Sequence, residues 1–243
     1  CIRDRGYTGF KDLQRVFQRR LSTAAPGFEA RVRALESELS GGARPESPLR
    51  DLVVRDMASL QDLLDPGVED AVERAAAMLE RARSVFLIGQ LRSAPLVMLL
   101  HYVLTMLGKR TVLLDEGGGL ATHRAKLATE ADLLFAVSFR FYATEVVNIA
   151  EQTRARGVPI LAISDSTLSP LAKSADLLIP VPEHEYTFSR SLAAPMCLVQ
   201  ALTLGLAARL SDGHETRPRI PVATAEGEDQ SDMGSGGVGG AKG

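Results

Sequence analysis

The chain has 243 residues, of which 45% are apolar and 24% charged, so it is long enough to bury the core of an α/β domain and a smaller helical part. Its net charge of −2 excludes a general attraction to nucleic acid or membrane surfaces. Two cysteines, Cys1 and Cys197, cannot form a disulfide framework or a metal site, which favours a reduced, cytoplasmic protein.

The first residues are basic and have a helical pattern. Residues 1–22 carry six Lys or Arg against two Asp, a net charge of +4, and the spacing of apolar residues predicts helices over 7–22 and 28–39. The chain opens with Cys1 and no methionine, so we expect a missing upstream part; a processed lipoprotein is the alternative. No signal peptide is visible, and we expect charges to interrupt every apolar stretch well before it reaches the roughly 20 residues of a membrane span.

Helical patterns continue to residue 82, and strands then alternate with helices. Asp65 and Pro66 predict the cap and first turn of a helix over 68–82, which follows a helix over 49–64. Short apolar runs between breakers predict the strands, and helical periodicity predicts the segments between them. The predicted strands are 84–89, 110–115, 132–138, 159–164 and 176–181, and the predicted helices are 92–108, 118–129, 142–156, 168–174 and 188–210.

This alternation predicts the fold. Continuous apolar strands linked by helices indicate a parallel sheet covered on both faces, so we expect a five-stranded, doubly wound α/β domain of flavodoxin or Rossmann type. The final helix is apolar nearly all round, as is "LVMLLHYVLTMLG", which favours burial in the core or between the subunits of a homodimer or homotetramer. The tail, 211–243, is rich in glycine and lacks periodicity, so we expect it to be disordered.

Polar and basic side chains follow three predicted strands at the edge where such sheets bind ligands. Helix N-termini attract anions, serine hydroxyls add donors, and arginine holds an anion with a bidentate fork. The alternative is that Ser93, Ser138 and Ser169 only cap helices. The candidate ligand-binding residues are Gly89, Arg92 and Ser93 after the first strand, Ser138, Arg140, Thr144 and Glu145 after the third, and Asp165 and Ser166 after the fourth.

Three strings resemble a known family. "LIG-x-x-x-S", "AVS-x-x-x-x-A-T-E" and "AIS-D-S-x-L-SPLAKSAD" resemble the sugar isomerase, or SIS, domain, and "SFRFYATE" and "SPLA" resemble RpiR-type transcriptional regulators. In that family a helix-turn-helix domain precedes an SIS domain that senses a phosphosugar or another carbohydrate derivative. The opening "CIRDRGYTGFKDLQRVFQ" resembles the end of the recognition helix and the stretch that follows it.

The resemblance implies a bacterial transcriptional regulator, truncated at its N-terminus, that needs no cofactor or metal and is not an enzyme. It implies that residues 1–25 end a DNA-binding domain, with Arg3, Arg5 and Lys11 as DNA contacts. A helical linker (26–67), an SIS effector domain (68–210) and the tail would follow. Without the preceding helices, residues 1–243 alone should bind DNA poorly. The effector, the operator and the sign of regulation are not fixed by the sequence.

Two loops depart from the family pattern. Leu91 stands where G-x-G-x-S has its second glycine. In S-x-S-G-x-T-x-E, Arg140 replaces the second serine, Phe141 the glycine and Ala143 the threonine. The hydroxyl cradle for a sugar phosphate is therefore largely lost, and the phenyl rings of Phe139 and Phe141 would narrow the pocket. We expect a remodelled anion site whose ligand need not be an ordinary sugar phosphate.

Two other functions stay open from the sequence. An SIS sugar-phosphate isomerase would need a general base within reach of a substrate carbon, although the pattern of the candidates favours a solvated acidic loop with a chance histidine. A phosphosugar-binding regulator of another protein, without a DNA role, is the second. His101 and His123 lie in helical segments and are expected to be surface or packed residues. The candidate bases are Glu116, Glu183, His184 and Glu185.

Overall fold

The structure is a computed structural model that describes Arg33 and residues 47–114, 119–181 and 190–212. Three short 3-10 helices, Asp62–Leu64, Leu91–Ser93 and Pro170–Lys173, join its longer elements. The longer elements are α1 (Pro48–Gln61), α2 (Pro66–Arg81), β1 (Ser84–Gly89), α3 (Ala94–Met106), β2 (Arg110–Leu113), α4 (Ala121–Ala125), β3 (Leu133–Val137), α5 (Thr144–Arg154), β4 (Ile160–Ser164), β5 (Leu177–Pro180) and α6 (Ala193–Asp212).

Some of the predictions lie outside the described residues. They concern the helices over 7–22 and 28–39 and the tail beyond residue 212. The individual residues concerned are the DNA contacts Arg3, Arg5 and Lys11 and the candidate bases Glu116, Glu183, His184 and Glu185.

The five strands form one parallel sheet in the order β2-β1-β3-β4-β5. The predicted five-stranded parallel α/β fold is therefore confirmed. β1 and β3 are neighbours, with Gly89 opposite Val137 where both strands end. The chain winds outward in opposite directions from this pair, which makes their carboxyl ends the switch point where open α/β sheets bind ligands.

Both faces of the sheet are buried because successive strand residues point to opposite sides. In β1, Val85 and Leu87 pack into a core with α2, α3 and α6. Phe86 and Ile88 pack into a second core with α4 and α5. The continuous apolar runs of the strands thus reflect burial on two sides, as the sequence pattern predicted.

Helix α2 begins as its sequence predicts. Asp65 is extended, and its carboxylate accepts a hydrogen bond of 2.8 Å from the N–H of Gly67, while Pro66 occupies the first turn. Two other predicted helices are shorter than expected. The segment 118–129 contains α4 of five residues; after Ala125 the N–H groups of Leu127 and Ala128 bond to carbonyls three residues back, so the α-helical pattern ends there. The segment 168–174 forms a 3-10 turn rather than an α-helix.

Helix α6 corrects one expectation about apolar stretches. Within the described residues it alone is long and apolar enough to span a membrane, with a mean hydropathy of 1.4 over Ala193–Ser211. The expectation was wrong because no charge lies between Arg190 and Arg209. In this fold Leu198, Leu202 and other buried residues of the helix belong to the core shared with α2 and α3. Its length and composition therefore match its role as a core helix.

An ion pair ties the amino ends of β1 and β3. The guanidinium of Arg83 donates to both carboxylate oxygens of Asp132, at 3.1 and 2.9 Å. Thr129 adds hydrogen bonds from its N–H and its hydroxyl. Burial opposes the charged form of Asp132, but these hydrogen bonds outweigh it, so the pKa of this carboxyl is lowered. This pair lies at the edge of the sheet opposite the candidate site.

Candidate functional site

The candidate site begins at Gly89, the last residue of β1. A Cβ atom there would lie 2.9 Å from the Val97 Cγ1 and 3.1 Å from the Ser93 carbonyl oxygen. Glycine is therefore required because the start of α3 approaches the strand closely, and not because of a left-handed backbone. This close approach brings the loop 90–93 over the end of the sheet.

The loop after β1 turns Arg92 inward. Leu91 has a left-handed backbone, with φ of 54°, and its side chain is 81% exposed. The next residue, Arg92, places its guanidinium carbon 4.7 Å from the centre of the Phe139 ring. Its Nη1 also donates at 3.4 Å to the carbonyls of Arg190 and Ser191. Arg92 thus connects the end of β1 to the loop after β3 and to the segment before α6.

The loop after β3 carries a second stacked arrangement. Phe141 also has a left-handed backbone, with φ of 70°. The guanidinium carbons of Arg140 and Arg190 lie 5.7 and 5.5 Å from the centre of its ring. Among the described residues, Leu91 and Phe141 are the two that have a positive φ without being glycine. These are the residues that replace glycines of the family pattern, so the loops keep a glycine-type backbone.

The arginines are close enough to influence one another and Asp165. Burial and, to a smaller extent, Arg190 lower the pKa of Arg92, against the opposing effect of Asp165, to about 10. Arg92 therefore still carries its charge at neutral pH. Burial and then Asp165 raise the pKa of Tyr142, whereas Arg140 and Arg190 act against them. Three guanidiniums, one carboxylate and one phenol thus meet at the strand ends.

The serines at the ends of β3 and β4 hold the loops together. The Ser138 hydroxyl accepts a hydrogen bond of 3.2 Å from the N–H of Ala143, at the start of α5. The Ser164 hydroxyl donates at 2.6 Å to the Ser138 carbonyl. Ser138 is not the N-cap of α5, because Ala143 occupies that position without a side-chain cap bond; Ser138 instead holds the loop that precedes the helix.

The other hydroxyl-bearing residues of the predicted site differ in their burial and in their hydrogen bonds. Ser166 accepts the N–H of Leu168 at 3.1 Å, which closes a local turn. Ser93 is buried at the N-cap of α3 and makes no side-chain cap bond. The Ser169 hydroxyl is buried without a hydrogen-bond partner among the described residues. Thr144 is exposed at the start of α5.

Three further residues lie at the site, although the sequence analysis did not name them. Gln90 donates a hydrogen bond to the carboxylate of the predicted Glu145, which joins the end of β1 to α5. Tyr142 is buried beside Asp165, and Arg190 stacks on Phe141. Gln90 could have been predicted from the sequence, because it directly follows the last residue of a strand. Arg190 comes from a distant segment, so no local pattern pointed to it.

The described residues offer binding groups rather than a catalytic constellation. Among them, no cluster of His, Cys, Asp and Glu could hold a metal ion. His101 exchanges a hydrogen bond of 2.7 Å with Thr111, which fastens α3 to β2, and His123 is exposed on α4. What converges at the strand ends is a set of cationic donors suited to an anion.

The SIS domain family matches residues 78–205, just over half of the chain. The chain therefore belongs to the SIS domain family. An uncharacterized helix-turn-helix-type transcriptional regulator of Thermotoga maritima is 27% identical over 135 residues, which are 56% of this chain and 48% of that protein. The chain thus spans about half the length of the curated relative that it matches.

Solved structures agree with this assignment. The sugar isomerase domain of an RpiR transcription factor from Sphaerobacter thermophilus is 28% identical, with a TM-score of 0.63 over 68% of this chain and 92% of that one. The NanR protein of Vibrio vulnificus, solved with ManNAc-6P, shares the fold at 23% identity and a TM-score of 0.61, over 87% of this chain and 73% of that one. With the family match, these relatives confirm the resemblance to RpiR-type regulators. Structures described as phosphosugar isomerases share the fold alone, at 15–20% identity.

Proposed function

We propose that this protein is a bacterial transcriptional regulator whose SIS domain binds a small anionic metabolite and so controls DNA binding. The observation that carries the proposal is the convergence of Arg92, Arg140 and Arg190 where β1 and β3 end. Cationic forks at a switch point recognise anions. Binding alone is sufficient for a sensor, provided that the ligand has different affinities for two arrangements of the protein.

The proposed function assigns a role to each of the predicted domains. Residues 1–25 would end a DNA-binding domain that contacts the duplex through Arg3, Arg5 and Lys11, and residues 26–67 would link it to the effector domain over 68–210. The regulator would be cytoplasmic and would act as a homodimer or homotetramer without turnover of its ligand. The regulators among the relatives support this proposal.

A thermal-shift screen tests the proposed site. Phosphorylated sugars and small organic acids would be added to wild type, to Arg140→Ala and to the control Arg74→Ala. Arg74 is an exposed arginine on α2, far from the strand ends in sequence, and pairs only loosely with Asp70, at 3.7 Å. A ligand that raises the Tm of wild type and of the control, but not of Arg140→Ala, would support the proposal.

The proposed control of DNA binding needs a separate test that measures DNA binding. Because residues 1–243 alone are expected to bind DNA poorly, the product of the complete gene would be used. Its electrophoretic shifts with DNA upstream of that gene, with and without the ligand from the screen, would show whether ligand binding changes DNA binding. A ligand that stabilises Arg140→Ala as strongly as wild type would place the effector elsewhere. Turnover of that ligand, followed by NMR, would instead support the isomerase alternative.

A further inference from the structure

Helix α3 is apolar on its outer face as well as on its inner face. The sequence from Arg92 to Lys109 contains no Asp, Glu, Lys or Arg between these two residues. A helix on the surface of a soluble domain ordinarily turns charged and polar side chains toward water. The inner face is buried in the core shared with α2 and α6 and consists of Leu96, Val97, Leu100 and Leu104. Burial in this core therefore accounts for only half of the apolar character of α3.

The outer face carries a row of three large side chains, which we call the α3 ridge: Met98, Tyr102 and Met106. They are 59%, 63% and 69% exposed. Residues four apart lie above one another on a helix, so the three side chains form one continuous ridge. Large apolar side chains that are exposed side by side mark an interaction surface more often than scattered ones do.

The polar side chains of α3 are already engaged within the domain. The hydroxyl of Thr105 donates at 2.7 Å to the carbonyl of His101. The His101 ring exchanges a hydrogen bond of the same length with Thr111, on β2. These groups therefore hold α3 in place and do not give the outer face a charged character.

The spacing of the α3 ridge fits a second copy of the same helix. In an interface with a two-fold axis, residue i contacts residue j of the partner, and j contacts i. Met98 and Met106 lie four positions before and after Tyr102. Where two copies cross antiparallel at Tyr102, each Met98 therefore meets the partner's Met106, and the thioethers can pack against the aromatic rings. The α3 ridge is thus complementary to itself.

The exposed area is sufficient for such an interface. At these exposures each side chain leaves on the order of 100 Å² of mainly apolar surface uncovered. Pro95 is also exposed on this side of α3, and α6, which packs beside α3, exposes 72% of Leu204. Five such side chains from each of two protomers would bury roughly 1,000 Å², about the minimum for a specific interface. No like charges of α3 would meet across the two-fold axis.

We propose that the α3 ridge is a subunit interface between two copies of this chain, in which the α3 helices cross antiparallel with Tyr102 on the two-fold axis. This inference rests on the proposed function, which includes a homodimer or homotetramer, and it assigns the surface that forms it. The loop 90–93 of the candidate site leads directly into α3. A ligand that moves this loop would therefore also move the interface, as in regulators whose helices shift at subunit contacts.

Light scattering and sedimentation measurements on the whole chain test the interface. Tyr102→Glu places two carboxylates together on the axis, so it should halve the mass of the wild-type assembly and weaken association at least about a hundredfold. Leu127→Glu is the control, because Leu127 is similarly exposed, at 71%, and follows α4 on the other side of the sheet. It should change the dissociation constant by less than about threefold. Far-UV circular dichroism would verify that each variant folds.

A charge pair tests the antiparallel orientation. Met98→Glu and Met106→Lys should each weaken association at least about tenfold, because each buries a charge against a methionine. The double variant should associate at least about fivefold tighter than either single variant, because Glu then meets Lys at both contacts. The two positions are eight residues apart on one helix, too far for a pair within the same chain. Recovery in the double variant also excludes a folding defect as the cause of the losses.

A disulfide test locates the axis. Cys197 is exposed, so the background would carry Cys1→Ser and Cys197→Ser. Tyr102→Cys should form a linked dimer under mild oxidation, because a residue on the two-fold axis meets its own copy closely enough for a disulfide. Met98→Cys should not link to itself but should link to Met106→Cys when the two proteins are mixed.

The possible failures are distinguishable. An assembly whose mass is unchanged by Tyr102→Glu would overturn the inference and leave the proposed function standing, with the subunits joined elsewhere. A double variant that associates more weakly than both single variants would overturn the antiparallel crossing. A monomeric wild type would overturn the inference together with the oligomeric part of the proposed function, and a different protein would then have to cover α3. The ligand screen on Arg140→Ala tests the anion site independently of all three.

Discussion

The guanidinium of Arg92 stacks on the ring of Phe139, with 4.7 Å between the guanidinium carbon and the ring centre. The contact joins the ends of two neighbouring parallel strands, β1 and β3. Phe139 is buried, so the pair is largely shielded from water. Arg92 is for that reason a structural link as well as a cation for a ligand, and its two roles can be separated experimentally.

A double-mutant cycle should measure this stacking. Arg92→Met and Phe139→Leu, alone and together, should give a coupling energy of about 0.5–2 kcal/mol in urea unfolding, the range for cation–π pairs from exposed to desolvated sites. Phe135→Leu is the control, because this ring is fully buried on β3, the strand that leads to Phe139, and is not among the described rings that an arginine stacks on. Its cycle with Arg92→Met should give a coupling near zero. Equal coupling in both cycles would contradict a specific interaction.

Leu91→Gly should stabilise the protein. The substitution relieves a left-handed backbone and removes a side chain that is 81% exposed, so little packing is lost. We expect a gain of about 0.5–1 kcal/mol in the free energy of unfolding, because the relief exceeds the added chain entropy of glycine. Leu127→Gly is the control: this leucine is 71% exposed and has a negative φ, so its loss should be destabilising. Destabilisation by both substitutions would argue against strain at Leu91.

Gly89→Ala should destabilise the protein by about 1–3 kcal/mol, the usual range for overpacking. The new methyl group would meet Val97 at 2.9 Å and the Ser93 carbonyl oxygen at 3.1 Å. Gly205→Ala on α6 is the matched control, since its methyl would lie at an ordinary 3.4 Å from the Ala76 methyl and alanine favours the helix. Thermal melts of the two variants should therefore shift in opposite directions.

Asp132→Asn should destabilise the protein at neutral pH by about 1–3 kcal/mol, because hydrogen bonds to a charged, buried carboxylate are lost. The lowered pKa of Asp132 means that its ionisation stabilises the fold above the unfolded value, near 4, and that this contribution is lost as pH falls through the folded value. The difference between wild type and variant should therefore shrink below about pH 4. Urea midpoints measured from pH 7 to pH 2 would show this.

The control for that series is Asp70→Asn. Asp70 is exposed on α2 and lies 3.7 Å from Arg74, a pair of the kind that contributes little to stability. The variant should change the free energy of unfolding by less than about 0.5 kcal/mol. If Asp132→Asn behaved like Asp70→Asn at neutral pH, the ion pair with Arg83 would not stabilise the fold.

Local sequence patterns were sufficient to predict the strands of the sheet and the start of α2. The run "SVFLIG" became β1 without a shift at either end, and Asp65 and Pro66 began α2 where the pattern placed them. These features depend on a residue and its near neighbours. Helix lengths were less well predicted, as at 118–129, where the chain changes to bonds three residues back after Ala125 although the apolar periodicity continues.

The residues of the candidate site were likewise predicted only where a local pattern points to them. Arg92 and Arg140 could be named from the sequence, because each follows the end of a strand and parallel strands end at one edge. The contact of Arg190 with Phe141 could not be named, since 49 positions separate the two residues and only the packing of α6 brings them together. The positive φ of Leu91 and Phe141 could not be predicted from the sequence either, because neither residue type favours that conformation.

The sequence by itself determined the parallel sheet, its two buried faces and the presence of arginines at its carboxyl edge, because alternation and hydrophobic periodicity act over short stretches of chain. The tertiary structure alone decided that Arg190 joins Arg92 and Arg140 over two phenyl rings and that the Tyr142 side chain is buried nearby. Side-chain stacking and burial depend on which distant segments the fold brings into contact, and no local pattern encodes that.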